Sequence, residues 1–485
     1  MTLVEVAATY KAALPEGTFF HFPVTAIDRA GVPSWSNIYL PGPLGGGDGY
    51  GVADIEAEVG ALGELHERLQ SKWGVPTLET EEGSFDDMVA TYGEKSVINP
   101  VTLGLPAGSD YTPEMPRLWT KMQRYPEGER WALLEAAASS PSELPESYTP
   151  LFLPVSNGLG AGIDLDRALC HGVLEILQRD GNSVSYRALD QGRVVDVSSG
   201  VDEEVEGILG SLKNAGLTVN VKLAATDFGL VNLYVNGYGQ DDDHPQIKLA
   251  AGGEACDLDR AAALRKALLE FAFARARLAF SHGPLDEVKK YAPEGYLEAH
   301  RSHFRPENEE QRALEKMLEW LELSPAELKT KLAPIYAERE CIAWTDLPSS
   351  PKLAIASPKK RLEEVAKRLE DFEISYLELA TPKAQEHGVR AVKVVIPGLE
   401  VETVSYGRIG ERNFRRLLER DSNLVSLGEP SEGAARVHLT DQVKESLGSP
   451  AWFHLEKLAE TVGDLYPLYR EPSRHAVRYV LEQRS

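Results

Sequence analysis

Cysteine is scarce in this chain, with three residues among 485: Cys170, Cys256 and Cys341. They lie far apart in the sequence, and none belongs to a C-x-x-C pair or has a histidine-rich neighbourhood. This spacing argues against a disulfide framework and gives no indication of a zinc site. We therefore expect a protein of a reducing, cytoplasmic compartment.

The chain also has fewer basic than acidic residues and lacks long apolar segments. The chain has 51 Lys and Arg against 75 Asp and Glu, a formal net charge of −24. This charge disfavours nucleic acids and anionic membranes as partners. No segment approaches the roughly 18 apolar residues of a membrane-spanning helix. The N-terminal stretch contains Glu5 and lacks a basic region, so we expect no secretory signal.

The chain has enough residues for about three domains, and strand and helix patterns alternate along it. Apolar residues recur every three or four positions between residues 54 and 72, which predicts a helix. Further helices are predicted at about 164–180, 259–280 and 358–373, and strands at about 19–28, 34–40, 194–199, 218–225, 229–239, 352–357 and 389–398. This mixture indicates an α/β (α+β) fold of mixed sheets and packed helices.

Two segments stand apart from this alternation. Residues at about 305–345 have helical patterns throughout, which predicts a helical insertion. Residues 416–485 are predicted to form a helix-rich C-terminal extension that follows a main domain of residues 1–415.

Two of the predicted helices have polar residues at a shared spacing. Glu64 and Glu67 are three apart on the first, and Glu175 and Gln178 are three apart on the second. Paired oxygen ligands on one helix face suit a hard cation such as magnesium together with phosphates. The alternative for the first pair is an ordinary exposed acidic face.

A polar turn precedes the second helix. Ser156, Asn157 and Gly158 begin the run SNGLGAG, whose backbone N–H groups can hold an anion, although turns of this composition are often only turns. The third helix contains Glu270, with Arg275 and Arg277 beyond it; an ordinary salt bridge is the alternative for these three residues.

Five motifs in order resemble those of the YcaO superfamily of ATP-dependent enzymes that activate backbone amides. They are FPVTAIDRAGVPSW, EAEVGALGELHER, SNGLGAGIDLDRALCHGVLEILQRD, DLDRAAALRKALLEFAFARAR and VRAVKVVIPGLE, and the likeness spans roughly residues 15–410. The third is similar to the family pattern S-N-G-x-x-A-G followed by H-G-x-x-E-x-x-E-R-D.

The resemblance implies that ATP and Mg²⁺ are the cofactors and which residues bind them; it names no catalytic residue. The implied metal ligands are Glu64, Glu67, Glu175 and Glu270. The implied nucleotide-binding residues are Ser156, Asn157, Gly158, Gln178, Arg179 and Arg275.

Three residues depart from the family pattern. Gln178 stands where a second Glu is usual, and its carbonyl oxygen can still bind a hard cation. Phe273 replaces a usual Gln, and Tyr50 occupies a position where many relatives have Lys. The implied site therefore has fewer charges than is usual in the family.

The function implied by the resemblance is ATP-dependent O-phosphorylation of a peptide backbone amide, for azoline, thioamide or amidine formation. The alternatives are a nucleotide-binding scaffold or regulatory subunit without this activity, and an enzyme acting on a small amide. We expect a separate precursor-recognition or sulfur-delivery protein as partner, and a homodimer is left open.

The C-terminal segment LYPLYREPSRH lacks the Pro-rich tail of the azoline-forming relatives. Its aromatic residues are expected to pack on the core. The functional alternative is that Arg470, Arg474 or His475 closes over the phosphates.

Overall fold

A computed structural model of the protein describes residues 1–41, 46–185, 187–239, 244–401 and 407–484. The strands are β1 (Thr18–Pro23), β2 (Ser34–Leu40), β3 (Asp48–Tyr50), β4 (Thr80–Gly83), β5 (Arg117–Arg124), β6 (Glu129–Leu133), β7 (Leu159–Gly162), β8 (Arg193–Asp196), β9 (Leu217–Ala225), β10 (Val231–Gly239), β11 (Gly252–Asp257), β12 (Glu340–Ala343), β13 (Ser375–Glu378), β14 (Arg390–Val395), β15 (Val425–Leu427), β16 (Ala434–Arg436) and β17 (Ala451–His454). The helices are α1 (Leu3–Ala13), α2 (Asp54–Gly74), α3 (Phe85–Tyr92), α4 (Leu134–Ala137), α5 (Leu165–Ser183), α6 (Glu203–Asn214), α7 (Arg260–His282), α8 (Leu285–Val288), α9 (Tyr296–His303), α10 (Gln311–Glu322), α11 (Pro325–Lys331), α12 (Ala333–Tyr336), α13 (Pro358–Arg368), α14 (Pro382–Glu386), α15 (Glu411–Glu419), α16 (Asp441–Leu447), α17 (Leu455–Val462) and α18 (Ala476–Arg484).

The chain divides into two compact units, each built from separate stretches of sequence. Unit 1 comprises Met1–His66, Arg187–Lys352 and Asp464–Ser485, and unit 2 comprises Glu67–Tyr186 and Leu353–Gly463. The division between residues 66 and 67 falls within α2, so Glu64 belongs to unit 1 and Glu67 to unit 2. The predicted boundary at residue 415 divides the chain into two consecutive segments, whereas the two compact units each combine separate stretches of sequence. That boundary stays a prediction.

Unit 1 contains two sheets. The first has the order β1-β2-β3 and is antiparallel, and the second has the order β11-β10-β9-β8-β12. Helix α7 packs on β10 and β11, and its apolar side chains, among them Phe271 and Phe280, are buried. Because only β12 pairs in parallel, with β8, this sheet is mixed among the described strands.

Strand β3 lies directly against the N-terminal half of α2. A Cβ atom added to Gly49 would lie 2.1 Å from the carbonyl oxygen of Ala57 and from the backbone nitrogen of Ala61. Only glycine permits this approach of two backbones. A Cβ atom added to Gly60 would meet the Cα atom of Gly49 at 3.4 Å, an ordinary contact distance, so the packing requires glycine at residue 49 and not at residue 60.

Unit 2 is built on a sheet of order β4-β5-β13-β14-β7, with β6 paired to β5, and a small sheet of order β15-β17-β16. Helix α5 packs on β7, β14 and α13. The approach of the chain before β7 to β14 requires glycine at residue 158, where φ is +81° and an added Cβ would lie 2.3 Å from the carbonyl oxygen of Val394. The contact of α5 with β7 requires glycine at residue 160, because an added Cβ there would lie 2.2 Å from the carbonyl oxygen of Ala168.

The mixed α/β class predicted from the sequence is confirmed, as are the four long helices at 54–72, 164–180, 259–280 and 358–373, with ends that differ by a few residues. The predicted strand at 352–357 is wrong, because Lys352–Ile355 forms a 3₁₀ turn. Pro351 and Pro358 bracket this short segment, and Ser357 caps α13 immediately after it. The short strands β3–β7, β11–β13 and β15–β17 were not predicted.

The predicted helical insertion contains α10, α11 and α12, and its last residues form strand β12. The Gly- and Pro-rich segment PGPLGGGDGYG has the composition of a loop, but Asp48–Tyr50 within it forms strand β3, and residues 42–45 lie outside the described residues. Along the described ranges, no helix has both the length and the apolar character needed to span a bilayer.

Candidate functional site

Glu64 is the predicted metal ligand on the unit 1 half of α2. Its Oε2 atom accepts a hydrogen bond of 2.6 Å from the backbone N–H of Asp48, the first residue of β3. The close packing of β3 on α2 brings this donor to the carboxylate. Glu64 is therefore oriented by main-chain geometry as well as by its own rotamer.

Glu270 of α7 is oriented by a side chain. The hydroxyl of Tyr50 donates to Oε2 of Glu270 over 2.9 Å. The ring of Tyr50 stacks on Phe273, with 5.4 Å between centroids and 28° between planes. Two of the three departures from the family pattern are thus in contact, and one of them binds a predicted metal ligand.

Glu67, the unit 2 acid on α2, accepts a hydrogen bond of 3.1 Å at Oε1 from the backbone N–H of Ala161 in β7. The same oxygen lies 3.7 Å from Nε2 of His171 on α5. The side chain of Glu67 is 15% exposed, whereas that of His171 is 47% exposed.

Glu175 of α5 is held by the predicted polar turn. Its Oε2 atom accepts from the backbone N–H of Gly158 over 2.9 Å, and its Oε1 atom lies 3.3 Å from Nη2 of Arg179. The backbone N–H of Gly158 thus donates to a carboxylate of the protein itself, and nucleotide binding by this segment stays a prediction. The anion in this structure is the carboxylate of Glu175.

The four predicted metal ligands share one property: each has a carboxylate oxygen fixed by a donor, namely Asp48 N–H, Tyr50 O–H, Ala161 N–H or Gly158 N–H. Carboxylate oxygens held in place are the ligands that Mg²⁺ prefers, because its octahedral geometry tolerates little displacement. Within the part of the chain that the structure describes, no three His, Cys, Asp or Glu side chains form a ready metal-binding group. The donor chemistry of these residues fits magnesium, and their joint role as ligands stays a prediction.

Among the predicted nucleotide-binding residues, Ser156 is exposed and Asn157 is 5% exposed. The Nδ2 atom of Asn157 has no hydrogen-bond partner among the described residues. Its backbone oxygen accepts from Nζ of Lys393 over 2.7 Å. Burial lowers the pKa of Lys393 to about 8, although the negative charge of Glu175 opposes this shift. Lys393, which was not singled out from the sequence, therefore holds the turn by its hydrogen bond to the backbone of Asn157.

Gln178 lies on α5 and is 4% exposed. Arg275 is fully buried, and its Nε and Nη2 atoms donate to the carboxylate of Asp28 over 3.1 and 3.2 Å. Arg277 is 30% exposed and donates to both oxygens of Glu471 over 2.7 Å. Helix geometry explains why Arg277 is partly exposed and Arg275 is buried. Residue 277 is seven positions from Glu270 and lies on the same helix face, whereas residue 275 is five positions away and lies on another face.

The C-terminal segment places its two arginines and its histidine in different environments. Arg470 is exposed. His475 is buried, and its Nε2 atom lies 3.1 Å from the hydroxyl of Tyr296. Arg474 is 6% exposed and donates from Nη2 to Oδ1 of Asp48 over 3.0 Å. Asp48 was not singled out from the sequence, and the only available signal was its place between two glycines in GGGDGYG.

Comparison with known proteins gives one family match. The family model described as YcaO cyclodehydratase, ATP- and Mg²⁺-binding, matches residues 48–400. The two cofactors expected from the sequence, ATP and Mg²⁺, are those of this description, so that prediction is confirmed. The match includes all four predicted metal ligands.

Individual proteins and solved structures are also similar to this chain. A protein of Methanothermobacter thermautotrophicus described as uncharacterized is 24% identical over 400 residues, which are 80% of this chain and 91% of that protein. The structure of YcaO from Methanopyrus kandleri, bound with AMPPCP and Mg²⁺, has a TM-score of 0.56 at 16% identity and covers 85% of this chain and 94% of that one. A heterocyclase in complex with substrate and cofactor has a TM-score of 0.63 at 15% identity and covers 87% of this chain. The match spans about half of that heterocyclase, 55% of its length. At these identities the solved structures establish the fold.

Proposed function

Because the chain belongs to the YcaO family, we propose that it uses ATP and magnesium to activate a peptide backbone amide by O-phosphorylation. The observation that carries this proposal is the set of four partly buried carboxylates, each oriented by a fixed donor. Ordinary surface acids need no such support. Carboxylates that must bind a cation in one geometry do need hydrogen-bond donors that orient them.

The chemistry follows from the low reactivity of an amide carbon. In the proposed reaction the amide oxygen attacks the γ-phosphorus of ATP, and the bond from that phosphorus to the ADP oxygen breaks. A thiol, hydroxyl, sulfide or amine then attacks the amide carbon, and phosphate leaves with the former amide oxygen. Bound magnesium neutralises phosphate charge, while the protein orients the groups. The product is an azoline, a thioamide or an amidine, according to the nucleophile.

Each predicted residue has a role in this proposal. Glu64, Glu67, Glu175 and Glu270 hold magnesium with the phosphates, and Ser156, Asn157, Gly158, Gln178 and Arg179 contribute to nucleotide binding. Arg275 acts indirectly in this proposal, since its guanidinium is engaged by buried Asp28 and fixes the position of α7 in unit 1.

The proposed substrate is a peptide, or a small amide if no peptide stimulates the reaction. A separate chain is proposed to supply precursor recognition or sulfide. ATP consumption by the purified protein with magnesium, measured with and without candidate peptides, tests both points. Stimulation by a peptide supports amide activation, and no ATP consumption under any of these conditions contradicts it.

A scaffold without amide-activating chemistry is the second candidate function. The contact between Tyr50 and Phe273 favours it, because an aromatic pair occupies positions where the family usually has Lys and Gln. In this alternative the aromatic pair fills space that an active relative leaves to polar ligands. The two functions predict opposite results for a variant that restores the family residues.

We expect the double variant Gln178→Glu/Phe273→Gln to lose ATP turnover by about 10-fold or to stay level. Phe273→Gln removes the ring on which Tyr50 stacks and so loosens the hydroxyl that orients Glu270. Gln178→Glu places a charge at a site that is 4% exposed. Steady-state ATP turnover of both single variants and the double variant, beside their melting temperatures, gives the measurement. A clear rise in turnover in the double variant supports the scaffold instead.

A further inference from the structure

Asp48 is bound at both its main chain and its side chain. Its backbone N–H donates to Glu64 over 2.6 Å. Its Oδ1 atom accepts from the hydroxyl of Ser36 over 2.7 Å and from Nη2 of Arg474 over 3.0 Å. One residue of β3 therefore connects the C-terminal segment to the acidic face of α2 within unit 1.

Arg474 is itself rigidly placed. It is 6% exposed, its guanidinium carbon lies 5.5 Å from the ring centroid of Phe280, and Nη1 lies 3.4 Å from the hydroxyl of Tyr296. The side chain of Asp48 is 14% exposed. A charge-assisted hydrogen bond between two such partly desolvated groups is stronger than one at the surface.

Asp48 stands between two glycines in a segment that packs closely on α2. Gly47 and Gly49 flank it, and glycine restricts the backbone less than any other residue. Both glycines are required for the close packing of this segment on α2, because an added Cβ at either would lie within 2.3 Å of a backbone atom of Ala61. This packing and the antiparallel pairing of Asp48 with Ser36 of β2 hold the Asp48 main chain, and the contacts of the Asp48 carboxylate with Ser36 and Arg474 add a further restraint on it.

We propose that Arg474 is a positioning residue for Glu64: by fixing the Asp48 carboxylate, it fixes the Asp48 N–H group that orients the Glu64 carboxylate. The inference rests on the proposed function, in which Glu64 binds magnesium. It assigns the C-terminal segment a role in magnesium binding without any contact between Arg474 and the nucleotide. This positioning role differs from the alternative in which the C-terminal segment closes over the phosphates and contacts them directly.

The experiment measures the Mg²⁺ concentration at half-maximal binding of AMPPCP to the full-length chain. We expect Arg474→Met to raise this midpoint about 10-fold, with unchanged affinity at saturating Mg²⁺. Arg474→Lys should recover part of the effect, because it keeps a cation beside Asp48 without the guanidinium geometry. Asp48→Asn should raise the midpoint as well, since an amide attracts Arg474 less.

A double-variant cycle separates positioning from direct contact. If Arg474 acts through Glu64, Glu64→Gln/Arg474→Met should have the same Mg²⁺ midpoint as Glu64→Gln alone. If Arg474 contacts the phosphates, the two effects should add, and that result overturns the proposal. The buried pair of Lys222 and Asp190, 2.7 Å apart in unit 1, supplies the control: Lys222→Met should lower the melting temperature without moving the midpoint.

The remaining outcomes are also decisive. A shifted midpoint in Glu64→Gln with none in Arg474→Met, Arg474→Lys or Asp48→Asn contradicts the positioning role and leaves the proposed function intact. An unshifted midpoint in Glu64→Gln contradicts the proposed magnesium ligand and the positioning role together. If Arg474→Met does not fold, the lysine and asparagine variants decide the question.

Discussion

Replacing Glu175 with Gln is expected to lower ATP turnover by at least about 100-fold, because an oriented negative ligand is lost where phosphate charge must be neutralised. The fold should tolerate the change. A Gln carbonyl oxygen can still accept the N–H group of Gly158, which Glu175 accepts over 2.9 Å. The measurement is steady-state ATP turnover with melting temperature as the check on folding.

Asp166→Asn is the matched control, since it removes an acid from the first turn of the same helix. Its turnover should equal that of the unmodified protein. Turnover in Glu175→Gln within a few-fold of the control would remove Glu175 from the proposed site.

Asp180→Asn is expected to lower the free energy of unfolding by about 3–5 kcal/mol, the usual result of removing one partner from a buried ion pair. Asp180 is 1% exposed. Its carboxylate accepts two hydrogen bonds of 2.9 Å from Arg412 and one of 3.0 Å from Arg416, and the N–H of Glu400 donates over 2.9 Å. An amide in this place directs an NH₂ group toward arginines, which leaves their charges buried and poorly compensated.

The same variant should change the pH dependence of stability. Burial on its own raises the pKa of Asp180, but Arg416 and Arg412 outweigh it and hold the pKa below its ordinary value. A lowered pKa in the folded state means that the stabilisation is present above the unfolded pKa, about 3.9, and is lost as pH falls below it.

Urea unfolding between pH 7 and pH 3 measures this dependence. Asp180→Asn should lose less stability than the unmodified protein over this range. Asp441→Asn, at an exposed acid paired with Lys444, should behave like the unmodified protein. An identical decline in Asp180→Asn would show that the Asp180 ion pairs do not titrate with folding.

Helical periodicity predicted the long helices well because their buried faces repeat every three or four residues. It could not predict the short strands β3–β7, β11–β13 and β15–β17, of three to eight residues, since so few positions carry little pattern. The prediction of a strand at 352–357 was wrong for a related reason. The apolar residues of this segment favour a strand, but its backbone forms a 3₁₀ turn between the flanking prolines and before the helix cap at Ser357.

Within the candidate site, the sequence identified which residues are acidic but not what orients them. Donors such as the N–H groups of Asp48 and Ala161 belong to the main chain, so no residue type marks them. The contact between Tyr50 and Phe273 joins residues more than 200 positions apart, and two separate departures from a family pattern give no sign of their contact. Matching a motif position also does not reveal which helix face is buried, as the burial of Arg275 against Asp28 illustrates, and its part in nucleotide binding stays a prediction.

The most direct test of the account is calorimetric binding of AMPPCP to the full-length chain, with Mg²⁺ and with EDTA. The account predicts binding that requires Mg²⁺ and is at least about 10-fold weaker in each of the four variants Glu64→Gln, Glu67→Gln, Glu175→Gln and Glu270→Gln. Glu58→Gln, on the same helix as Glu64 but paired with Lys11 and His21, should bind like the unmodified protein. Binding that is equal with and without Mg²⁺, or unchanged in all four variants, would contradict the claim that these oriented carboxylates hold magnesium with ATP.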